Sequence, residues 1–91
     1  MYIISNKKNG VLYIGMTNNL KKRMYQHKNK SLKGFSSRYN LDTLVYYEKF
    51  SFPNPAIKRE KQIKKWNRDW KTNLINDLNP DWNDLTFMFN N

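Results

Sequence analysis

Two apolar, β-branched runs, "MYII" and "VLYIG", stand six residues apart, joined by "SNKKNG" with Asn9-Gly10 at its end. A connector that short allows only an antiparallel hairpin, because a parallel crossover needs about a dozen residues or more. The chain is therefore committed to an antiparallel sheet from its start. Two registers are open. If the loop is centred between Lys7 and Lys8, Tyr2 falls opposite Tyr13; if Asn9-Gly10 forms a two-residue turn, Tyr13 faces Asn6. They differ by an even shift, so both put Tyr2 and Tyr13 on one face of the sheet. Gly15 ends the second strand.

Thr17, Asn18 and Asn19 are cap-type residues, and "LKKRMYQHK" behind them suits a helix. Leu20, Met24 and His27 recur at i, i+4 and i+7 on its packing stripe, with Arg23 on the edge. "NKSLKGFSSRYNLD" is polar and punctuated, a loop with room for one helical turn. "TLVYYEKF", Thr43 to Phe50, alternates as a third strand. A helix then follows in "FPNPAIKREKQIKKWNRDW", with Asn54 as cap and Pro55 in the first helical position. At about 100° per residue its apolar stripe is Ala56, Ile63, Trp66 and Trp70, and Glu60 projects into that stripe. A last helix over Leu74, Ile75 and Leu78 should stop before Pro80. Three short strands, the first two an antiparallel hairpin, interleaved with helices make the expected class α+β, in one domain.

Charge narrows the partners. Seventeen Lys and Arg against seven Asp and Glu give +10, which favours a polyanion. No cysteine is present, excluding disulfides, thiolate zinc and a cysteine nucleophile; a single histidine excludes sites built from several imidazoles. No apolar run approaches the roughly 18–20 residues of a membrane span and no secretory signal stands at the start, so the expected location is cytoplasmic, with no membrane partner.

Four placements then converge. Two tyrosines share a sheet face, Arg23 and His27 edge the next helix's packing face, and Glu60 sits in a later helix's stripe. Each has an ordinary explanation: hydrogen-bonded core phenols, an arginine stem laid on apolar surface, a polar histidine at a helix edge, a structural Arg23–Glu60 ion pair. Together they supply what phosphodiester hydrolysis requires: groups to activate water, a cation for phosphate charge, and a carboxylate that can hold one hydrated divalent ion. Seven dispersed acids argue against a two-metal site.

Tyr2, "YIG" at Tyr13 to Gly15, Arg23, His27, and Glu60 within "AIKREKQIKKW" closely resemble the GIY-YIG endonuclease superfamily. The likeness is to its small single-domain bacterial members and to the N-terminal nuclease domain of excision-repair subunits. It covers roughly Met1 to Leu85 and implies a small three-stranded antiparallel sheet flanked by helices, one domain over 1–85 with a tail at 86–91; it departs at the start, where Met1 directly precedes Tyr2 without the usual Gly-Ile, so a short, frayed first strand is expected. The resemblance implies catalytic roles for Tyr2, Tyr13, Arg23, His27 and Glu60, with Glu60 the ligand of one Mg²⁺ or Mn²⁺ ion and a tyrosine helping to activate water. It implies substrate contacts from Gly15, Lys22 and Asn83, the last resembling the family's C-terminal asparagine. The implied activity is endonucleolytic hydrolysis of DNA, with structured or branched repair intermediates as candidates, by a monomer or weak dimer needing no small-molecule cofactor. The alternative is a basic, non-catalytic nucleic-acid-binding module. A weaker one is a protein-interaction domain presenting Trp66, Trp70 or Trp82. "DWK" at Asp69 to Lys71 imitates part of a restriction-type motif, but in a helical pattern.

Overall fold

The computed structural model describes residues 1–31 and 34–89. Strands β1 (Tyr2–Ser5), β2 (Leu12–Gly15) and β3 (Thr43–Tyr47) form one antiparallel sheet in the order β2-β1-β3. Expected to be short and frayed, β1 is instead the central strand, and all four of its residues are buried. The ladder continues outward through Met1, whose carbonyl accepts the Glu48 N–H at 2.9 Å.

The hairpin register lies between the two expected ones. Tyr2 pairs with Gly15 and Ile4 with Tyr13, because the turn is centred on Lys8-Asn9 rather than on Asn9-Gly10. The Gly10 N–H closes it onto the Lys7 carbonyl at 2.9 Å. Asn9 takes the left-handed conformation at φ 59°, which Asn tolerates better than most residues. The offset from each expected register is even, so the shared face of Tyr2 and Tyr13 survives.

Period-two alternation splits the core. Met1, Ile3 and Ile14 face one way with Ile63, Ile75 and Trp82; Tyr2 and Ile4 face the other with Met24, Leu41 and Leu44. In β3 the register slips opposite Ile3 and Ile4, and this bulge lets the consecutive Val45 and Tyr46 both enter the first cluster. Each fully buried aliphatic side chain contributes about 1.5–3 kcal/mol by leaving water.

Helix α1 (Leu20–Lys28) is capped as expected, Asn19 Oδ1 accepting the Lys22 N–H at 3.1 Å, and it buries Met24 and His27. One helical turn, α2 (Phe35–Arg38), falls in the polar stretch; Leu32 and Lys33 of that stretch lie outside the described residues. Helix α3 (Pro53–Lys64) begins earlier than expected, with Phe52 as its cap and no side-chain capping bond, since Pro53 already supplies the φ that favours a first helical position. The expected continuous stripe to Trp70 is broken. Asn67 Oδ1 accepts the Trp70 N–H at 2.9 Å and starts a new helix, α4 (Arg68–Leu78). Ala56 and Ile63 are thus buried by α3, Trp66 sits in the connection, and Trp70 is exposed. Asp69-Trp70-Lys71 is helical, as its pattern indicated. The final helix expected over Leu74, Ile75 and Leu78 is the rest of α4, with Ile75 buried and Leu78 in solvent. A 3₁₀ turn over Leu85–Phe89 closes across β3 and α1; of the C-terminal segment, Asn90 and Asn91 lie outside the described residues. Among the described residues no helix is long and apolar enough to cross a membrane.

Candidate active site

At the end of the sheet where β1 starts and β2 stops, Tyr2 lies between Gly15 and Tyr47. Its phenol is fully buried, and Gly15 makes that possible. A Cβ on Gly15 would stand 2.6 Å from both Cζ and Oη of Tyr2 and 3.0 Å from Cε1 of Tyr13. The close approach this glycine permits is therefore with the two tyrosines.

From α1, His27 points at the same phenol, its Nε2 3.0 Å from Tyr2 Oη. Tyr2, Tyr13 and His27 form a triangle of rings with centroids 6.4, 5.7 and 6.1 Å apart. Arg23, one turn earlier on α1, brings its positive charge to bear on the same hydroxyl. The other ring nitrogen, Nδ1, is buried with no hydrogen-bond partner among the described residues.

The electrostatics follow from enclosure. Burial, and then the neighbouring Tyr13, push the Tyr2 hydroxyl above its ordinary value of 10.0, and Arg23 opposes them without prevailing. Burial, and then the Arg23 charge, hold His27 below 6.5. At neutral pH the pair is a protonated phenol and a neutral imidazole. That suits a fixed hydrogen-bonded array better than a titrating base.

Glu60, in the penultimate turn of α3, has a side chain only 16% exposed. Its charge is felt at the Tyr2 phenol and at the Met1 ammonium, which sets it at the same end of the sheet. Its Oε1 meets Lys64 Nζ at 2.5 Å, and Lys64 is 53% exposed, so the partner is a surface side chain that water can replace. This pair, rather than the Arg23–Glu60 pair considered from the sequence, is the one formed. Among the described residues no three His, Cys, Asp or Glu cluster as a metal cage. A single carboxylate fits instead a hard, hydrated cation such as Mg²⁺, which takes one or two protein oxygens and keeps several waters.

The remaining expected residues are distributed. Lys22 is exposed on α1. Asn83 follows α4, and both its backbone N–H and C=O are held by the side chain of Asn79, which also donates to the Val45 carbonyl at 3.0 Å. That places Asn83 beside β3. Trp82, offered from the sequence as an interaction residue, is buried with its Nε1 donating to Asn76 Oδ1 at 2.7 Å.

Sequence reading missed a clamp. Arg59 Nε meets Glu48 Oε1 at 2.9 Å and Nη2 meets Oε2 at 3.0 Å, while Tyr46 donates to Oε2 at 2.5 Å. Burial pushes the Glu48 carboxyl up, but the bonds from Arg59 and Tyr46 outweigh it and hold it below 4.5. Since Arg59 immediately precedes Glu60, the clamp fixes the angle of α3 on the sheet. Its signal was an acid just past the third strand and an arginine beside the singled-out glutamate.

The model of the GIY-YIG catalytic domain matches residues 1–73, a span that includes Tyr2, Tyr13, Arg23, His27 and Glu60 and stops short of Asn83. The chain belongs to the GIY-YIG family. A UPF0213 protein of Staphylococcus saprophyticus is 34% identical over 77 residues, 85% of this chain and 93% of the relative. A UPF0213 protein of Clostridium perfringens is 39% identical over 75 residues, 82% and 80% of the two chains. No solved structure matches. GIY-YIG domains are those of endonucleases, so this chain carries a nuclease-type domain whose partner class is nucleic acid. The family generally uses divalent metal ions, with which the lone carboxylate of this GIY-YIG chain is compatible.

Proposed function

We propose that the protein is a metal-assisted endonuclease that hydrolyses phosphodiester bonds in DNA. One observation carries this reading: three side chains from two helices bring charge or a hydrogen bond to the Tyr2 hydroxyl, Arg23 and His27 from α1 and Glu60 from α3. A buried phenol needs one partner to be satisfied; an arginine, an imidazole and a carboxylate around it exceed what packing requires.

In this reading Arg23, half-buried at the rim, donates to the phosphate and stabilises the charge that grows on it. Tyr13, also half-buried, orients the attacking water. Attack on phosphorus forms one P–O bond and breaks the other, the attacking water giving up its proton to solvent and the leaving oxygen taking one from solvent. Glu60 would hold one Mg²⁺ or Mn²⁺ ion, which when bound neutralises phosphate charge and assists departure of the leaving oxygen. Tyr2 and His27, both buried, act as positioning residues, their bond tying the end of the sheet to the helix that carries Arg23. Lys22 and the general basic surface hold the nucleic-acid backbone.

The test is cleavage of duplex, nicked and branched DNA with Mg²⁺ or Mn²⁺, with Glu60→Ala as control. Equal rates from the two proteins would overturn the proposal. The Glu60–Lys64 ion pair favours a second reading, a binding module whose acid is already spent. It requires salt-dependent DNA binding that is indifferent to both divalent ions and Glu60→Ala.

A further inference from the structure

Beside Tyr2 a cleft of about 560 Å³ opens between two loops, the β2–α1 connection with Thr17 and Asn18 and the β3–α3 connection with Phe50 and Phe52. We propose that it is a nucleobase subsite, which seats one unpaired base next to the scissile phosphate. The inference rests on the nuclease reading and adds the substrate class, DNA with an unstacked nucleotide at the cut.

Three features support this. First, the cleft continues the site on both sides. Leu20 and Ala56 line it, and each stands in the first turns of a helix whose next turn carries a proposed catalytic group, Arg23 on α1 and Glu60 on α3. Along each helix the cleft thus lies about one turn, roughly 5.4 Å, from the proposed catalytic group.

Second, the walls carry stacking surface that the fold does not use. Phe52 is 71% exposed and Phe50 37%, although exposed phenylalanine gains nothing for stability. Aromatic side chains beside a cationic backbone track are how single strands are held without regard to sequence. Asn18 and Ser51 supply polar groups at the rim. The carboxylate of Glu48, which also lines the cleft, is engaged by Arg59 and Tyr46, so it does not oppose a polyanion as a free charge would.

Third, the volume is of small-molecule size, enough for one or two bases and too little for a base-paired helix.

The experiment places 2-aminopurine in a short single-stranded gap and measures fluorescence and affinity with Glu60→Gln protein, so that binding is read apart from cutting. Expected are a rise in emission as the base leaves its neighbours, and about a tenfold loss of affinity, the scale of one base–aromatic stack, when Phe52→Ala is added or when the base is replaced by an abasic site. Phe87→Ala, as exposed as Phe52 and outside the cleft, serves as the control. Emission and affinity that respond no more to Phe52→Ala and Phe50→Ala than to Phe87→Ala overturn the subsite, as does failure to bind the gapped probe at low salt. Wild-type cutting with no emission change removes the subsite and leaves the nuclease. The emission change without cutting does the reverse.

Discussion

The hydroxyl of Tyr2 lies 3.0 Å from Nε2 of His27, joining the centre of the sheet to the far end of α1 through a bond that solvent does not reach. The positive charge of Arg23 on the same helix acts on the same phenol. The site is therefore wired into the core, and its chemistry and its stability can be perturbed separately.

Arg23→Ala and Glu60→Ala are expected to leave folded proteins with cleavage reduced at least about 100-fold, the scale of losing a charge-stabilising donor or a metal ligand. Chelation of divalent ions should abolish cutting by the wild type. Circular dichroism alongside single-turnover rates separates loss of fold from loss of chemistry.

Lys64→Ala should not lower the cleavage rate. Its ion pair is half in water, so the stability change should stay within about 0.5 kcal/mol. A variant that cut tenfold more slowly would mean that Lys64 belongs to the site.

Gly15→Ala places a methyl group 2.6 Å from the Tyr2 phenol. Tyr2 has no room to retreat, so overpacking of about 1–3 kcal/mol is expected in urea unfolding, along with a cleavage defect that saturating DNA does not restore.

Tyr2→Phe strips the partner from an imidazole whose second nitrogen is already unpaired, a loss of about 1–3 kcal/mol. The double variant with His27→Ala should cost less than the sum of the two singles. The same pair sets an acid limb. The unfolded chain takes up a proton near 6.5 while the fold holds His27 below that value, so at lower pH the unfolded state binds more protons. Stability should fall as pH drops from about 7 towards 5, and His27→Ala should flatten that slope in melting curves.

At the alkaline end, burial and then the Glu48 carboxylate push Tyr46 from 10.0 up to about 12. Between those values the unfolded chain has lost the phenolic proton and the fold retains it, so stability decays across that window. Tyr46→Phe should remove part of the decay, seen as a shallower fall of melting temperature with pH.

Much of this was legible because it depends on parity and periodicity. The faces of Tyr2 and Tyr13 were readable despite a wrong register, since every candidate turn shifted the pairing by an even number. The α1 stripe of Leu20, Met24 and His27 was readable from its spacing. The α3–α4 break was not, because Trp66 and Trp70 continue a helical stripe across it; the competing signal was Asn67, which caps the second helix. Asn79, which the sequence did not single out, makes three side-chain bonds, two of them to the Asn83 backbone, and nothing local distinguishes the two asparagines. The electrostatic coupling of Glu60 to Tyr2 needed coordinates, because it depends on how α3 crosses the end of the sheet.

Sheet order has a temporal consequence. Tyr2 stands in the first strand, yet that strand is walled in by β3, where it pairs with Tyr47, and its hydroxyl senses Glu60 from later still. These pairings are long-range and close only once β3 and α3 are available. The candidate site is thus assembled late in folding, when α3 has come to rest on the sheet.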